Sequence, residues 1–139
     1  MRMVHPEGWP RPAGYAHAAV TSGRVVMVAG QVGWDPVTQR FASGDFAGQA
    51  GQALRNVATV LRAAGAAPGD VVRLTWFITD RAAYLAARPA IGTAYRAIFD
   101  SHYPAMSVVV VAGLLEVEAR VEIEATAVVA PVGSNVRDE

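Results

Sequence analysis

The stretch VVRLTWFITDRAAYLAARPAIGTAYRAIFDSHYPAMSVVVVAG, Val71–Gly113, decides the fold because its pattern changes twice. Its first part, Val71–Thr79, is rich in β-branched and aromatic side chains, which favours a strand. Its last part, Ser107–Gly113, contains four consecutive valines and again predicts a strand. The residues between these two parts are expected to form a helix.

The helix in this stretch is expected to begin late. Asp80 is suited to cap the element that follows the first strand. Pro89 fits the first turn of a helix and is poorly tolerated in a helix interior. We therefore expect a short turn over 81–87 and the main helix from about Pro89 to Phe99.

Toward the N-terminus, the chain predicts a hairpin followed by a loop. Tyr15–Val20 and Arg24–Ala29 are predicted as strands, and Thr21–Gly23 as the turn that joins them. Gly30–Phe41 contains glycines and an Asp-Pro pair, so we predict that it is a loop.

A first helix and a last strand complete the pattern. Asp45 is suited to cap a helix whose apolar residues recur at helical spacing from Phe46 to Leu61, and Gly65 is suited to end it. Ala119–Val129 alternates, which predicts a strand with charged side chains on one face and apolar side chains on the other.

The resulting order, β-β-α-β-α-β-β, predicts one α+β domain over residues 1–139, with two helices on one face of a sheet. Residues 1–13 and 131–139 are expected to be irregular. Hydrophobic residues make up 53% of this short chain, more than a small monomer easily buries. We expect Val108 and Val110 on the face opposite the helices, where a second subunit would cover them.

Composition and patterning exclude several classes of chemistry. The chain has no cysteine and no lysine, which excludes disulfides, a thiolate nucleophile, Schiff-base chemistry and a P-loop. Its formal net charge is zero and it has no basic stripe, so neither nucleic acid nor membrane is expected as a partner. It has no apolar leader and no uncharged apolar run of about 18–20 residues, so we expect a cytoplasmic protein.

Without reference to any family, the carboxylates are the first candidates for catalytic residues. Glu122 and Glu124 share a strand face; either they form an ordinary solvated face, or one of them lines an interface cleft and acts as a general acid or base. Tyr15 and His17 also share a strand face. Either they are ordinary half-buried side chains, or they line a pocket. No histidine lies at a metal-ligand spacing, so no metal site is expected.

Five stretches together carry a resemblance: GYAHAAVTSGRVVMVAGQVGWDP, GDFAGQAGQALRNVATVLRAAGA, DVVRLTWFITD, YPAMSVVVVAGL and VEIEATAV. In this order the chain resembles the Rid (reactive intermediate deaminase) family, also called YjgF-like or endoribonuclease L-PSP, from about Gly14 to Val129. The resemblance implies a chorismate-mutase-like (YjgF-like) α+β fold and a homotrimer whose three sheets form a central barrel-like core. It also implies clefts between subunits that hydrolyse reactive enamines and imines to 2-keto acids and ammonia, without a cofactor or metal.

The resemblance places the family's substrate pocket on particular residues. Its pocket tyrosine falls on Tyr15, and His17 stands where glutamine is more usual. A glycine whose backbone lines the pocket falls on Gly30, followed by Gln31. Backbone groups near Gly30 and Ala105 are expected to help bind the substrate.

The resemblance also implies a catalytic residue and a departure from the family. The glutamate that holds and activates water falls on Glu122, and the arginine that pairs with the substrate carboxylate falls on Met106, in PAMS. A guanidinium donates two parallel charge-assisted hydrogen bonds to a carboxylate, whereas a thioether offers one weak acceptor. We therefore expect the usual amino-acid-derived imine to bind poorly, unless another arginine replaces the missing one: Arg11, Arg73 or Arg120.

Three functions stay open. The first is hydrolysis of an altered imine or enamine by water that Glu122 orients and deprotonates. The second is a homotrimer that binds a small metabolite in its interface clefts without turnover, or that serves in regulation. The third is a ribonuclease, against which the zero net charge argues, because contacts to phosphates supply most of the affinity for nucleic acid.

Overall fold

The computed structural model describes residues 1–133, so most of the predicted irregular tail, 131–139, lies outside the described residues. The described part contains β1 (Arg2–Val4), β2 (Ala18–Val20), β3 (Arg24–Val32), α1 (Phe46–Ala63), β4 (Val71–Ile78), α2 (Arg81–Phe99), β5 (Ala105–Val110) and β6 (Val121–Val129). A short 3-10 turn, Pro68–Asp70, precedes β4.

Four strands form the main sheet, in the order β3-β6-β4-β5. β4 and β5 are parallel and are joined by α2, whereas β6 is antiparallel to β3 and to β4. Buried residues of both helices and of the sheet form one core. This confirms an α+β fold with two helices on one face of a mixed sheet. Within residues 1–133, no helix is both long and apolar enough to cross a membrane.

α1 begins and ends where the sequence predicts. The Asp45 carboxylate accepts a hydrogen bond of 2.6 Å from the backbone N–H of Gly48, which caps the first turn. Gly65 follows the helix with φ of 71°, a left-handed conformation that favours glycine. Leu54 and Leu61 on the inner face are fully buried. Burial of each such side chain stabilises the fold by about 1.5–3 kcal/mol.

The prediction that α2 begins near Pro89 is wrong. α2 is one helix from Arg81 to Phe99, with Pro89 inside it. Asp80 caps it as predicted, because its carboxylate accepts a 3.0 Å hydrogen bond from the N–H of Ala83. Pro89 lies on the exposed side, where water can satisfy the carbonyl that loses its helical partner.

The predicted hairpin is also wrong. β2 pairs antiparallel with β1, and β3 pairs with β6. Residues 1–13 are consequently not irregular throughout, because they contain β1. The N–H of Ala16 donates a 2.9 Å hydrogen bond to Pro104 at the outer edge of the main sheet. This contact draws the segment before β2 to the edge opposite β3, so the two strands cannot pair.

Several strand limits differ from the predictions; for example, β5 ends at Val110 instead of Gly113. β3 continues to Val32, with an irregularity in its pairing between Val28 and Gln31, so the predicted loop begins later. β5 begins at Ala105 instead of Ser107, and β6 begins at Val121. The alternation of β6 is confirmed, because its odd-numbered residues from 121 to 127 are buried.

The expected position of two valines is corrected by the register of β5. Val108 and Val110 align with Trp76 and Ile78, which are buried beneath the helices. The valines therefore lie on the helix side, at the outer edge. The side-chain period of two places Val108 and Val110 on one face together, and the pairing with β4, which the valine pattern does not contain, decides that this is the helix face. The open face carries other apolar side chains, such as Met27, which is 74% exposed.

Gly33→Ala is expected to lower the free energy of unfolding by about 2 kcal/mol, because it overpacks a buried contact. A Cβ at Gly33 would collide with the main chain of Gln49 in α1, coming within 2.7 Å of its carbonyl carbon. Gly44→Ala is the control, since nothing lies within 4 Å of a Cβ there. Urea unfolding at one protein concentration checks both variants. Equal stability of the two would contradict this account of the β3–α1 contact.

Candidate functional site

The sheet divides the residues predicted for the site into two groups. The group at the outer edge of β5 comprises Tyr15 and Met106, whose side chains lie on the helix side, and the backbone of Ala105. The group where β3 meets β6 comprises Gly30, Gln31 and Glu122. His17 belongs to neither group. A single chain therefore does not bring all the predicted residues into one cleft.

The first group is assembled by the contact between the N-terminal segment and β5. Ala16 forms a parallel bridge with Ala105 and is 2% exposed. This places Tyr15 beside Met106, and both line a cavity of about 690 Å³ between β5 and α2. That volume suits a small organic ligand.

We call this space the α2 cavity. Most of its lining is aromatic or aliphatic, and neither Asp nor Glu is among the described residues that line it. Its lining includes Tyr15, Trp76, Arg88, Gly92, Arg96 and Met106.

Stacked aromatic rings stiffen one wall of the α2 cavity. Tyr95 stacks on Tyr103 with ring centroids 5.3 Å apart, and its hydroxyl donates a 2.7 Å hydrogen bond to the carbonyl of His102. Burial is the main cause that raises the pKa of Tyr95 above its ordinary value, with the neighbouring Tyr103 as a further cause. The phenol therefore remains a neutral hydrogen-bond donor. His102 itself donates from Nε2 to the carbonyl of Val71 at 2.7 Å, which indicates a structural role.

His17 lies in an aromatic cluster beside Tyr15. Its ring centroid is 5.8 Å from that of Tyr15 and 5.2 Å from that of Trp9, both edge-on. Its Nδ1 is 3.3 Å from Nδ1 of His5. His17 thus supports Tyr15 without lining the α2 cavity. Among residues 1–133, no three His, Asp or Glu side chains form a group that could hold a metal ion.

The second group is built on the irregularity in β3. A Cβ at Gly30 would collide with the carboxylate of Glu122, so only glycine lets this side chain lie against the strand. Gln31 donates from Nε2 to the carbonyl of Ala29 at 3.1 Å. The Glu122 carboxylate is partly exposed and makes no hydrogen bond or ion pair with any residue in 1–133. Glu124 is exposed.

Two buried amides of α1, which sequence reasoning missed, hold the segments that carry this second group. Asn56 Nδ2 donates to the carbonyls of Val32 and Trp34, at 3.0 and 2.9 Å. Gln49 Oε1 accepts a 2.7 Å hydrogen bond from the N–H of Arg120, just before β6. Both side chains are at least 97% buried, so they fix the end of β3 and the start of β6.

None of the three arginines considered as replacements for the missing one lines the α2 cavity. Arg73 donates to Ser107 Oγ at 3.3 Å, and Arg11 and Arg120 line other cavities. The arginines that do line it, Arg88 and Arg96, were missed. Their signal in the sequence is a spacing of eight residues on one helix, which places both on one face.

Comparisons with known proteins give one consistent result. The profile of the family described as "Endoribonuclease L-PSP" matches residues 10–129. A 2-iminobutanoate/2-iminopropanoate deaminase from Dermatophagoides farinae is 37% identical over 120 residues, which cover 86% of this chain and 90% of that protein.

Two solved structures extend this similarity to the fold. The Rid family protein YyfB from Yersinia pestis is 36% identical, with a TM-score of 0.78 over 92% of this chain and 98% of its own. TdcF from E. coli, solved with bound serine, is 34% identical, with a TM-score of 0.66 over 94% of this chain and 100% of its own.

Proposed function

The chain belongs to the endoribonuclease L-PSP family, also called the Rid or YjgF family, and we propose its function on that basis. We infer that it hydrolyses a reactive imine or enamine to a carbonyl compound and ammonia, the type of reaction for which several relatives are named. The observation that carries this proposal is the Glu122 carboxylate, which is unpaired among residues 1–133 and lies against Gly30.

The proposed reaction needs a positioned water molecule and a proton shuttle. Glu122 accepts a proton from the water as its oxygen attacks the imine carbon, and the π electrons of the C=N bond move to nitrogen, which takes up a proton from solvent. Glu122 then returns its proton to the nitrogen of the tetrahedral intermediate. The C–N bond breaks, ammonia leaves, and the remaining hydroxyl releases its proton to solvent to form the carbonyl. Atoms and electrons balance without a redox partner.

Met106 is proposed to alter the substrate and not the reaction. Its flexible thioether side chain packs against the core and adds an apolar surface to the α2 cavity. A carboxylate placed against it would lose water without gaining a partner, which costs several kcal/mol. A substrate with a larger apolar group is therefore the better match for this wall.

The site is proposed to be completed between copies of the chain in a homotrimer. Within one chain the sheet separates Glu122 from Met106, so one small substrate cannot contact both. β5 is an edge strand of the main sheet, and the open face exposes apolar side chains, including Met27 and Val25 at 74% and 58%. A neighbouring copy that covered this face would bury apolar surface and bring its own β5 edge toward Glu122.

Ligand binding without turnover is the second candidate. It is favoured by the TdcF structure, in which a small amino acid is bound to a related protein. Regulation by a bound metabolite would use the same α2 cavity and would not need Glu122. The ribonuclease alternative has less support, because the chain has zero net charge and no basic stripe.

Imines with large apolar side chains are expected to be hydrolysed faster than 2-iminopropanoate. We expect a ratio in kcat/KM of about tenfold or more, because a fitted apolar group contributes about 1–3 kcal/mol to discrimination. A panel of imines generated in situ from amino acids by an amino-acid oxidase, with ammonia release timed against spontaneous hydrolysis, measures this. Saturable binding with no acceleration of any imine would favour the second candidate.

A further inference from the structure

Two arginines of α2 line the α2 cavity, and both are exposed. Arg88 and Arg96 lie four residues before and four residues after Gly92, so all three share one face of the helix. A Cβ at Gly92 would stand 3.0 Å from Nη1 of Arg96. The guanidinium of Arg96 therefore folds over the glycine, into space that a longer side chain would occupy.

The charge of these two groups is not balanced within the described chain. Neither guanidinium makes an ion pair or a hydrogen bond with any residue in 1–133, and no carboxylate among these residues lines the cavity. Two like charges on the helix side of a largely apolar cavity create a positive potential there. Solvent reaches both side chains, so salt weakens this potential but leaves its sign unchanged.

The strand side of the α2 cavity contains a further polar group without a partner among the described residues. Trp76 is 2% exposed, and its Nε1 is buried with no hydrogen-bond partner among residues 1–133. Buried donors of this kind are rare in folded proteins. Because this nitrogen is itself buried, the ring of Trp76 and not its N–H is the surface that it offers to a ligand.

We propose that the α2 cavity binds an organic acid with an apolar or aromatic body, and that Arg96, assisted by Arg88, binds its carboxylate. The planar guanidinium of Arg96 donates two parallel hydrogen bonds to the carboxylate oxygens. The apolar body lies against Met106 and the aromatic wall around Trp76. In this arrangement the cation comes from the helix side of the cavity and the apolar surface from the strand side.

This inference rests on the proposed function only in taking the acid to be the substrate or product of that reaction. The binding of the acid is independent of turnover. A substrate class follows: imino acids whose side chain is large and apolar, with the carboxylate turned toward α2.

The test is binding of 3-phenylpropanoate and of its neutral isostere 3-phenylpropanamide, measured by calorimetry on the whole protein. The wild-type protein is expected to bind the acid about 10–100 times more tightly than the amide, which corresponds to one or two charge-assisted hydrogen bonds. Arg96→Gln should remove most of this preference and leave binding of the amide within about twofold. Arg81→Gln, on the same helix but not lining the cavity, is the matched control and should change neither affinity.

The comparison of acid with amide on the wild-type protein needs no variant. It therefore tests whether the cavity prefers a carboxylate even if Arg96→Gln folds poorly. Arg96→Lys keeps the charge without the planar fork and should retain only part of the preference. Equal affinity for acid and amide, no binding of the acid, or an Arg96→Gln variant that keeps the full preference would each overturn the proposal. None of these results involves hydrolysis, so the role proposed for Glu122 would stand or fall separately.

Discussion

Glu122→Gln is expected to lower kcat for imine hydrolysis by a factor of about 10²–10⁴, the usual contribution of a positioned general base. Glutamine has nearly the same shape and can still hold a water molecule, but its amide cannot accept the proton that the attacking water must release. The carboxylate lies against Gly30 and makes no hydrogen bond or ion pair within residues 1–133. The substitution therefore removes no contact that stabilises the described chain, and KM should change little.

Glu124→Gln is the matched control for this experiment. Glu124 lies two residues further along β6, on the same face, and is exposed. Its replacement should leave kcat unchanged, since it removes the same charge at a position away from Gly30. Assays with the best imine of the panel, together with unfolding curves for both variants, separate catalysis from stability. Full activity of Glu122→Gln would refute the role of Glu122 as general base.

The helix ends of this fold could be predicted because their signals are local. Asp45, Asp80 and Gly65 each act within one turn of their own positions, and each acts where the sequence predicts. Pro89 misled the prediction because its cost depends on exposure, which is a property of the packed structure. An exposed proline loses one backbone hydrogen bond that water can replace.

Strand partners could not be predicted because pairing is decided by distant parts of the chain. β2 and β3 are separated by three residues, a spacing typical of a hairpin, yet β3 pairs with β6 and β2 with β1. The side on which Val108 lies depends on the register in which β5 pairs with β4, and a shift of one residue in that register would reverse it. The local pattern of four valines contains no information on that shift.

The candidate site also depends on contacts between distant parts of the chain, which the sequence does not reveal. A motif could point to Glu122 and Met106 individually, but the sheet that separates them appears only in three dimensions. Arg96 was missed because a lone arginine on a helix is usually solvated. Its position over Gly92, beside a cavity without a carboxylate among the described residues, is what makes it a candidate ligand for an anion.

Met106→Arg is expected to raise kcat/KM for 2-iminopropanoate by a factor of about 10–100, as one or two charge-assisted hydrogen bonds to its carboxylate would do. Met106 lines a cavity of about 690 Å³, which leaves room for the longer side chain. The new guanidinium would replace an apolar surface by a planar pair of donors. Met106→Lys adds the same charge without the planar pair of donors, so its gain in kcat/KM should be smaller. Steady-state rates on 2-iminopropanoate are compared for the wild-type protein and the two variants. A folded Met106→Arg variant with no gain in kcat/KM would show that the pocket differs from that of the relatives in more than this residue.

The double variant Met106→Arg, Arg96→Gln distinguishes two reasons for a small gain. If Arg96 already holds the carboxylate, then a second guanidinium competes with it and adds like-charge repulsion in the same cavity. The gain from Met106→Arg should then be larger in the Arg96→Gln background than in the wild-type protein. If Arg96 plays no part in binding, the two substitutions should act independently and their effects on kcat/KM should multiply. The interaction between positions 96 and 106 thus decides whether the carboxylate site of this protein has moved from the strand to the helix.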